Sequence, residues 1–172
     1  MRDPVKHPWI LGRLRVTRAA IERVDEEARA HFARDEESCG VLVGPSSDAP
    51  LVDEAIPFVN RAAKLHEIDP ETYPRTARTY FDIDPLKFQR AVDAGEKSGR
   101  PVKVLYHSHL DVGAYFSETD AAAATMGGSE PTHDVAYLVT SVRSGAVDAR
   151  ALFVWDPEGR AFVPSTLEVF GE

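Results

Sequence analysis

Val102-Lys103-Val104-Leu105-Tyr106-His107-Ser108-His109 is a largely apolar, β-branched run that ends in two histidines, and Ser117 and Asp120 follow within a dozen residues. The run predicts a strand over 102–106 that leads directly into the histidine pair. Residues at i and i+2 of an extended segment share a face, so both imidazoles project the same way. A carboxylate from a following loop or helix start can then close a three-ligand pocket. Imidazole nitrogen and carboxylate oxygen are both zinc donors, and three protein ligands leave a fourth position for water, the arrangement of a catalytic site. A hydrolase is the activity such a pocket would serve.

Outward from this run, helices and strands alternate. Upstream, Leu11–Val16 reads as a short strand. Thr17 caps a helix running to about Ala33, whose apolar stripe is Ala20, Ile21, Val24, Ala28 and Phe32. Cys39–Val43, between Glu37-Ser38 and Gly44, is a buried strand. Pro45–Pro50 is a turn-rich loop, and Leu51–Val59 is a second strand interrupted by Pro57. Asn60–Tyr80, with Pro70 and Pro74, is expected to be a long loop or small hairpin, of the kind more often functional than filler. Asp84-Pro85 opens a helix with a side-chain cap and a proline at its first position, ending near Gly95 or Gly99.

Downstream, Ser117–Met126 is a helix. Strands follow at Val135–Val142 and Ala149–Trp155, joined through Ser144-Gly145, with a last one near Phe162 after the Asp156–Gly159 turn. The expected fold class is therefore α/β (α+β): a mixed central sheet flanked by helices. The expected organisation is an N-terminal segment 1–10, one domain over 11–165 and a tail at 166–172.

Composition narrows the function classes. The 172 residues carry a formal net charge of −8 with scattered Lys and Arg, so no basic stripe is present to neutralise a phosphate backbone. Nucleic acid is not an expected partner. No apolar run approaches the roughly 18 residues that span a bilayer, and residues 1–10 lack an apolar signal core. The expectation is a cytoplasmic protein without a membrane partner. The single cysteine, Cys39, excludes an internal disulfide and an all-cysteine zinc cluster.

Each candidate site residue also has an ordinary structural reading. Ser117 followed three residues later by an acid, ahead of an alanine-rich helix, is a capping pattern that needs no chemistry. Glu37 lies in the acidic triplet Asp35-Glu36-Glu37, and such clusters are usually solvated. Cys39 in an apolar strand behaves as a small buried hydrophobe. His7, His31, His66 and His133 have no partner at ligand spacing. Other metal frameworks fail on specific absences: no His-Glu-x-x-His run, no Pro-Cys-x-x-Cys, no glutamate soon after His109, and too short a chain for a barrel of roughly 250 residues.

Taken together, Glu37-Ser38-Cys39-Gly40-Val41-Leu42-Val43-Gly44, His107-Ser108-His109, a gap of seven, then Ser117-Glu118-Thr119-Asp120 resemble the JAMM (MPN-plus, Mov34/PAD-1-like) zinc metalloproteases, bacterial branch. The resemblance also takes in Asn60 and Phe81–Pro85, and so spans about residues 11–165. It implies a single MPN/JAMM-type domain of cytidine-deaminase-like architecture. It also implies one Zn2+ held by His107, His109 and Asp120, with Glu37 as general base and Ser117 as oxyanion donor; Ser108, facing the other way, would be structural. The implied activity is peptide or isopeptide hydrolysis after the C-terminal Gly-Gly of a ubiquitin-like or sulfur-carrier protein, with segment 61–80 as groove wall. Rival readings are a non-catalytic scaffold of the same fold, or another metal enzyme, such as an iron oxygenase using two histidines and one carboxylate. Many members carry proline after the second histidine, where this chain has Leu110. The second, structural zinc site of the endosomal branch has no ligands between Met126 and Asp134 beyond His133.

Overall fold

The computed structural model describes residues 13–171; the segment 1–10, and the start of the strand expected from Leu11, lie outside them. In chain order the elements are β1 (Leu14–Thr17), α1 (Arg18–Phe32), β2 (Cys39–Val43), β3 (Leu51–Val52), β4 (Glu54–Phe58), α2 (Ala62–Ile68) and α3 (Pro85–Ser98). Then come β5 (Val102–Leu110), α4 (Glu118–Thr125), β6 (Ala136–Arg143), β7 (Ala146–Asp156), β8 (Ala161–Ser165) and β9 (Leu167–Phe170). Six strands form the main sheet in the order β4-β2-β5-β6-β7-β8, with only β5 and β6 parallel. A small parallel sheet, β3-β1-β9, completes the architecture.

Strand alternation sorts the core into two layers. Leu42, Val104, Tyr106, Leu138 and Leu152 face α1, packing on Ala20, Ile21 and Val24. Val41, Tyr137, Val139 and Phe153 face the other way, toward Phe88 of α3 and Ala124 of α4. The histidines of β5 belong by parity to this second face, so the site is built where α4 meets the sheet. Tyr106, on the α1 face, stands beside Gly40 of the neighbouring strand. A Cβ at Gly40 would come within 2.5 Å of the Ile56 carbonyl oxygen and collide with the Tyr106 ring. Gly40→Ala is therefore expected to cost about 1–3 kcal/mol, read as a lower urea midpoint; an unchanged midpoint would contradict this packing.

Local signals account for the helix ends. Thr17 accepts from the Ala20 N–H to start α1. Asp84 accepts from Leu86 and Lys87 ahead of Pro85 at the first turn of α3, and Gly99, at φ 71°, closes it. Ser144 and Gly145, both at positive φ, make the two-residue hairpin between β6 and β7, as a tight turn of the primed type requires. Among the described residues no helix is long and apolar enough to cross a membrane.

Four elements differ from the sequence reading. Asn60–Tyr80 is not a bare loop, for it contains α2, a seven-residue helix without a side-chain cap at Arg61. It is started instead by Asn60, whose Oδ1 accepts from the N–H groups of both Ala62 and Asp82. The strand expected over Leu51–Val59 is two strands in different sheets: β3 pairs with β1, β4 with β2. Pro57 is tolerated because β4 is an edge strand. The 166–172 segment expected as a tail carries β9, which pairs with β1. The strand expected over Ala149–Trp155 extends to Ala146–Asp156, the full length of the hairpin arm.

The Pro45–Pro50 loop is organised by Lys103. This side chain, fully buried, donates from Nζ to the carbonyls of Pro45, Asp48, Ala49 and Leu51 at 2.8–3.1 Å. A buried ammonium is tolerated only when hydrogen-bonded in this way.

Candidate metal centre

Antiparallel pairing of β2 with β5 sets Cys39 opposite His107, and continuing that register by two residues brings Glu37 opposite His109. Ser108, between the two histidines, points the other way. Its Oγ accepts from the Ser38 N–H at 2.8 Å, while its own N–H donates to the Ser38 carbonyl at 3.1 Å. Ser108 thus locks the two strands together at the site's edge, the structural part expected of it.

On the α3/α4 face the three predicted ligands converge. His107 Nε2 and His109 Nε2 lie 3.2 Å apart, and Asp120 Oδ2 is 3.2 Å from the first and 3.4 Å from the second. Bonds of about 2.0–2.1 Å at tetrahedral angles separate donor atoms by about 3.3–3.4 Å, so this triangle has the edge length of one face of a zinc tetrahedron. The three form the one cluster among the described residues with donor atoms this close. His109 Nδ1 donates to the Gly113 carbonyl at 2.9 Å, which leaves the Nε2 lone pair aimed at the cluster. His107 stacks on Phe81, ring centroids 4.5 Å apart, and His109 meets the edge of Tyr115. The donor set and its geometry fit a small divalent cation.

Asp120 does two jobs at once. Ser117 Oγ accepts from the Asp120 N–H, and Asp120 Oδ2 accepts from the Ser117 N–H, both at 3.0 Å: a complete capping box at the start of α4. The ordinary reading of Ser117-Glu118-Thr119-Asp120 is thus correct, and it coexists with the ligand geometry, because the cap is what turns Asp120 toward the histidines. Burial works to raise the Asp120 carboxyl, but the two imidazoles and the Ser117 N–H prevail and hold it well below the usual carboxylate range. Burial pushes His107 down, against the pull of Asp120, so its imidazole stays neutral as a ligand must.

Glu37 departs from the solvated-cluster reading. Asp35 is exposed and paired with Arg78, and Glu36 pairs with His31 and Arg34, but Glu37 is only 5% exposed. Burial, and next the Asp120 carboxylate, push its carboxyl up to about 9, with Arg75 opposing them. Its backbone is pinned on both sides: its N–H donates to the Ala77 carbonyl at 2.8 Å, and its carbonyl accepts from Asn60 Nδ2 at 3.0 Å. Asn60 Nδ2 also reaches the Tyr80 carbonyl, so one buried amide ties the start of β2 to both ends of the 60–82 segment. Arg78 bridges Asp35 and Asp111, which flank Glu37 and His109 in sequence. The sequence marked neither Arg78 nor Arg75. Asn60 entered only through the family likeness, and no local pattern distinguishes an amide that will become a hub.

A cavity of about 600 Å3 opens beside the cluster, its apolar wall including Phe81, Ile83, Phe88, Phe116 and Tyr137, with His107 and Asp120 at one end. Cys39 is buried, its thiol pushed up by that burial, and its Sγ approaches the Phe58 carbonyl. His31 is buried against Glu36, His66 bonds to the Tyr73 carbonyl and His133 rests on Phe88; His7 lies outside the described residues.

A family model described as prokaryotic homologs of the JAB domain matches residues 18–155, a span that includes every one of these site residues. The chain belongs to that family. Among similar proteins, this JAB-domain chain is 38% identical over 120 residues to the CysO-cysteine peptidase of Mycobacterium tuberculosis, a match covering 66% of each chain. It is 33% identical over 119 residues to the desampylase of Haloferax volcanii, covering 68% of this chain and 76% of that one. The alignment thus spans just under two thirds of the mycobacterial relative's length. The fold is shared with a protein from Desulfitobacterium hafniense, at TM-score 0.62 and 20% identity over 92% of this chain and 94% of that one. A JAB1/MPN domain protein from Archaeoglobus fulgidus matches at TM-score 0.52 and 16% identity, over 92% and 100% of the two chains. The JAB-type assignment fits the mixed sheet, flanking helices and buried histidine pair described above.

Proposed function

We propose that this protein is a zinc-dependent peptidase or isopeptidase. It hydrolyses the amide bond after the C-terminal Gly-Gly of a ubiquitin-like or sulfur-carrier protein. The observation that carries this reading is the triangle of His107, His109 and Asp120 donor atoms, with tetrahedral edge lengths, at a face that Glu37 and Ser117 also border. The names of the mycobacterial and haloarchaeal relatives support the substrate class.

His107, His109 and Asp120 would hold the ion. When bound, it would supply a Lewis acid that acidifies water and a positive charge that draws Glu37 back to its ionised, proton-accepting form. Glu37 takes a proton from the attacking water and returns it to the leaving amine. Its burial and its backbone bonds to Ala77 and Asn60 keep that carboxyl in one place through both transfers. Ser117 uses an oxygen lone pair for the helix cap, so its O–H remains able to donate to the oxyanion that develops on the scissile carbonyl. Tyr115, half exposed against His109, borders the mouth of the site.

Ser117→Ala separates the cap from the chemistry. Loss of the cap is expected to lower stability by about 0.5–2 kcal/mol, whereas loss of the oxyanion donor should lower kcat by about 100- to 1000-fold. A kcat within a few-fold of native, in protein shown to be folded, would leave Ser117 with the cap alone. The reading as a whole is tested by purifying the protein without chelator, measuring its metal by mass spectrometry, and incubating it with carriers that bear a C-terminal extension. One equivalent of zinc and a product mass ending at Gly-Gly are expected. Metal-free protein that cleaves no carrier would overturn it in favour of a scaffold, and stoichiometric iron with oxygen uptake would point to an oxygenase.

A further inference from the structure

Of the arginines around the site, two are spoken for: Arg61 pairs with Asp82, and Arg78 with Asp35 and Asp111. Arg75 differs. It is exposed, and among the described residues it forms no ion pair. Its Nη1 donates to the Thr79 carbonyl at 3.3 Å and to Thr119 Oγ1 at 2.9 Å, which anchors the side chain across the cleft to the first turn of α4, next to Asp120. The backbone two residues on, at Ala77, accepts the hydrogen bond that pins Glu37. The guanidinium therefore stands against the first turn of α4, one residue from Asp120, and near enough to Glu37 to oppose the rise of its carboxyl; among the described residues the rest of its planar fork makes no hydrogen bond. Such a fork is shaped for a carboxylate.

We propose that Arg75 binds the free α-carboxylate of a single amino acid attached to the carrier's C-terminus, making this protein select a one-residue leaving group over an isopeptide-linked lysine. The inference rests on the peptidase reading above and adds to it what leaves. In the reaction, water adds across the amide: the C–N bond breaks, a C–O bond forms at the carrier's terminal glycine, and the departing nitrogen takes a proton from Glu37. Glu37 must then lie within hydrogen-bond reach of that nitrogen. In an α-linked amino acid the carboxylate is one carbon away from it and falls beside Arg75. In an isopeptide the lysine's four-carbon stem and its α-carbon separate that nitrogen from the carboxyl carbon, which within a longer chain is an uncharged peptide carbonyl. Arg75 also favours the ionised form of Glu37, so a purely electrostatic role is the alternative that the experiment has to separate.

The test compares two substrates, a carrier extended by one amino acid as the free acid and the same carrier ending in the carboxamide, with native protein, Arg75→Gln and Arg75→Lys. Native protein is expected to favour the acid by about 10- to 100-fold in kcat/KM, the range of a charge-assisted hydrogen bond. Arg75→Gln should bring that ratio close to one, and Arg75→Lys should recover part of it. The ratio is independent of how much of a variant is folded. Equal cleavage of acid and amide by native protein, or loss of both by the same factor in Arg75→Gln, overturns the inference while the peptidase reading stands. Cleavage of neither substrate by native protein overturns that reading, and this inference with it.

Discussion

Glu37→Gln is expected to retain its metal and lose turnover, with kcat down by about 100- to 10,000-fold, the usual contribution of a general acid–base. The amide matches the carboxyl in size and keeps the buried pocket filled, so a stability loss is not what stops the enzyme. Metal content and kcat measured on the same preparation decide the matter: a metal-loaded Glu37→Gln protein with native kcat would remove Glu37 from the chemistry. The same substitution has a signature in metal-free protein. The folded-state pKa of Glu37, about 9, lies above its ordinary value of 4.5. Between those values the folded chain keeps a proton that the unfolded chain has released, so stability from this group is present below about 4.5 and is lost as pH rises toward 9. Chelated native protein should therefore lose stability across that window, and Glu37→Gln should flatten the slope. Parallel pH profiles for the two proteins would show that burial does not hold the carboxyl protonated.

Removing the ion should both abolish activity and soften the fold. A ligand bound at 1,000 times its dissociation constant stabilises the native state by about 4 kcal/mol. For a chain of this size each kcal/mol moves Tm by about 2–4 °C, so chelation should lower Tm by about 8–16 °C, and stoichiometric zinc should restore it. In Asp120→Ala the zinc-dependent increment should vanish, on top of a small metal-independent loss from the broken capping box. Calorimetry with and without chelator separates the two contributions. An equal Tm in both conditions for native protein would mean that the triangle holds no ion.

Local chemistry was readable from sequence; long-range chemistry was not. Thr17, Asp84-Pro85, Gly99, Ser144-Gly145 and Ser117 announce helix ends and a hairpin because caps and turns are made by residues a few positions apart. The histidine pair was legible for the same reason, since alternation along a strand fixes its face. By contrast the Asn60 side chain that starts α2 at Ala62 is also tied to Asp82, 22 residues on, and β9 forms because β1, at the other end of the described chain, offers an edge. The anchoring of Glu37 by Ala77, and of Arg75 by Thr119, joins segments some 40 residues apart. The motif told which residues could meet; what holds them there came from contacts that no local spacing encodes.

The alternation along β5 has one more effect. His107 and His109 face α4 only while Ser108 grips Ser38 on the opposite side, and a slip of one position would turn both imidazoles into the oily layer beneath α1 and bring a serine out in their place. A pairing of β2 with β5 that is out by one residue cannot present both imidazoles to Asp120. Bound metal thus leaves out molecules caught one residue out of step, and titrating a refolding mixture with zinc would report that misstep without any substrate being present.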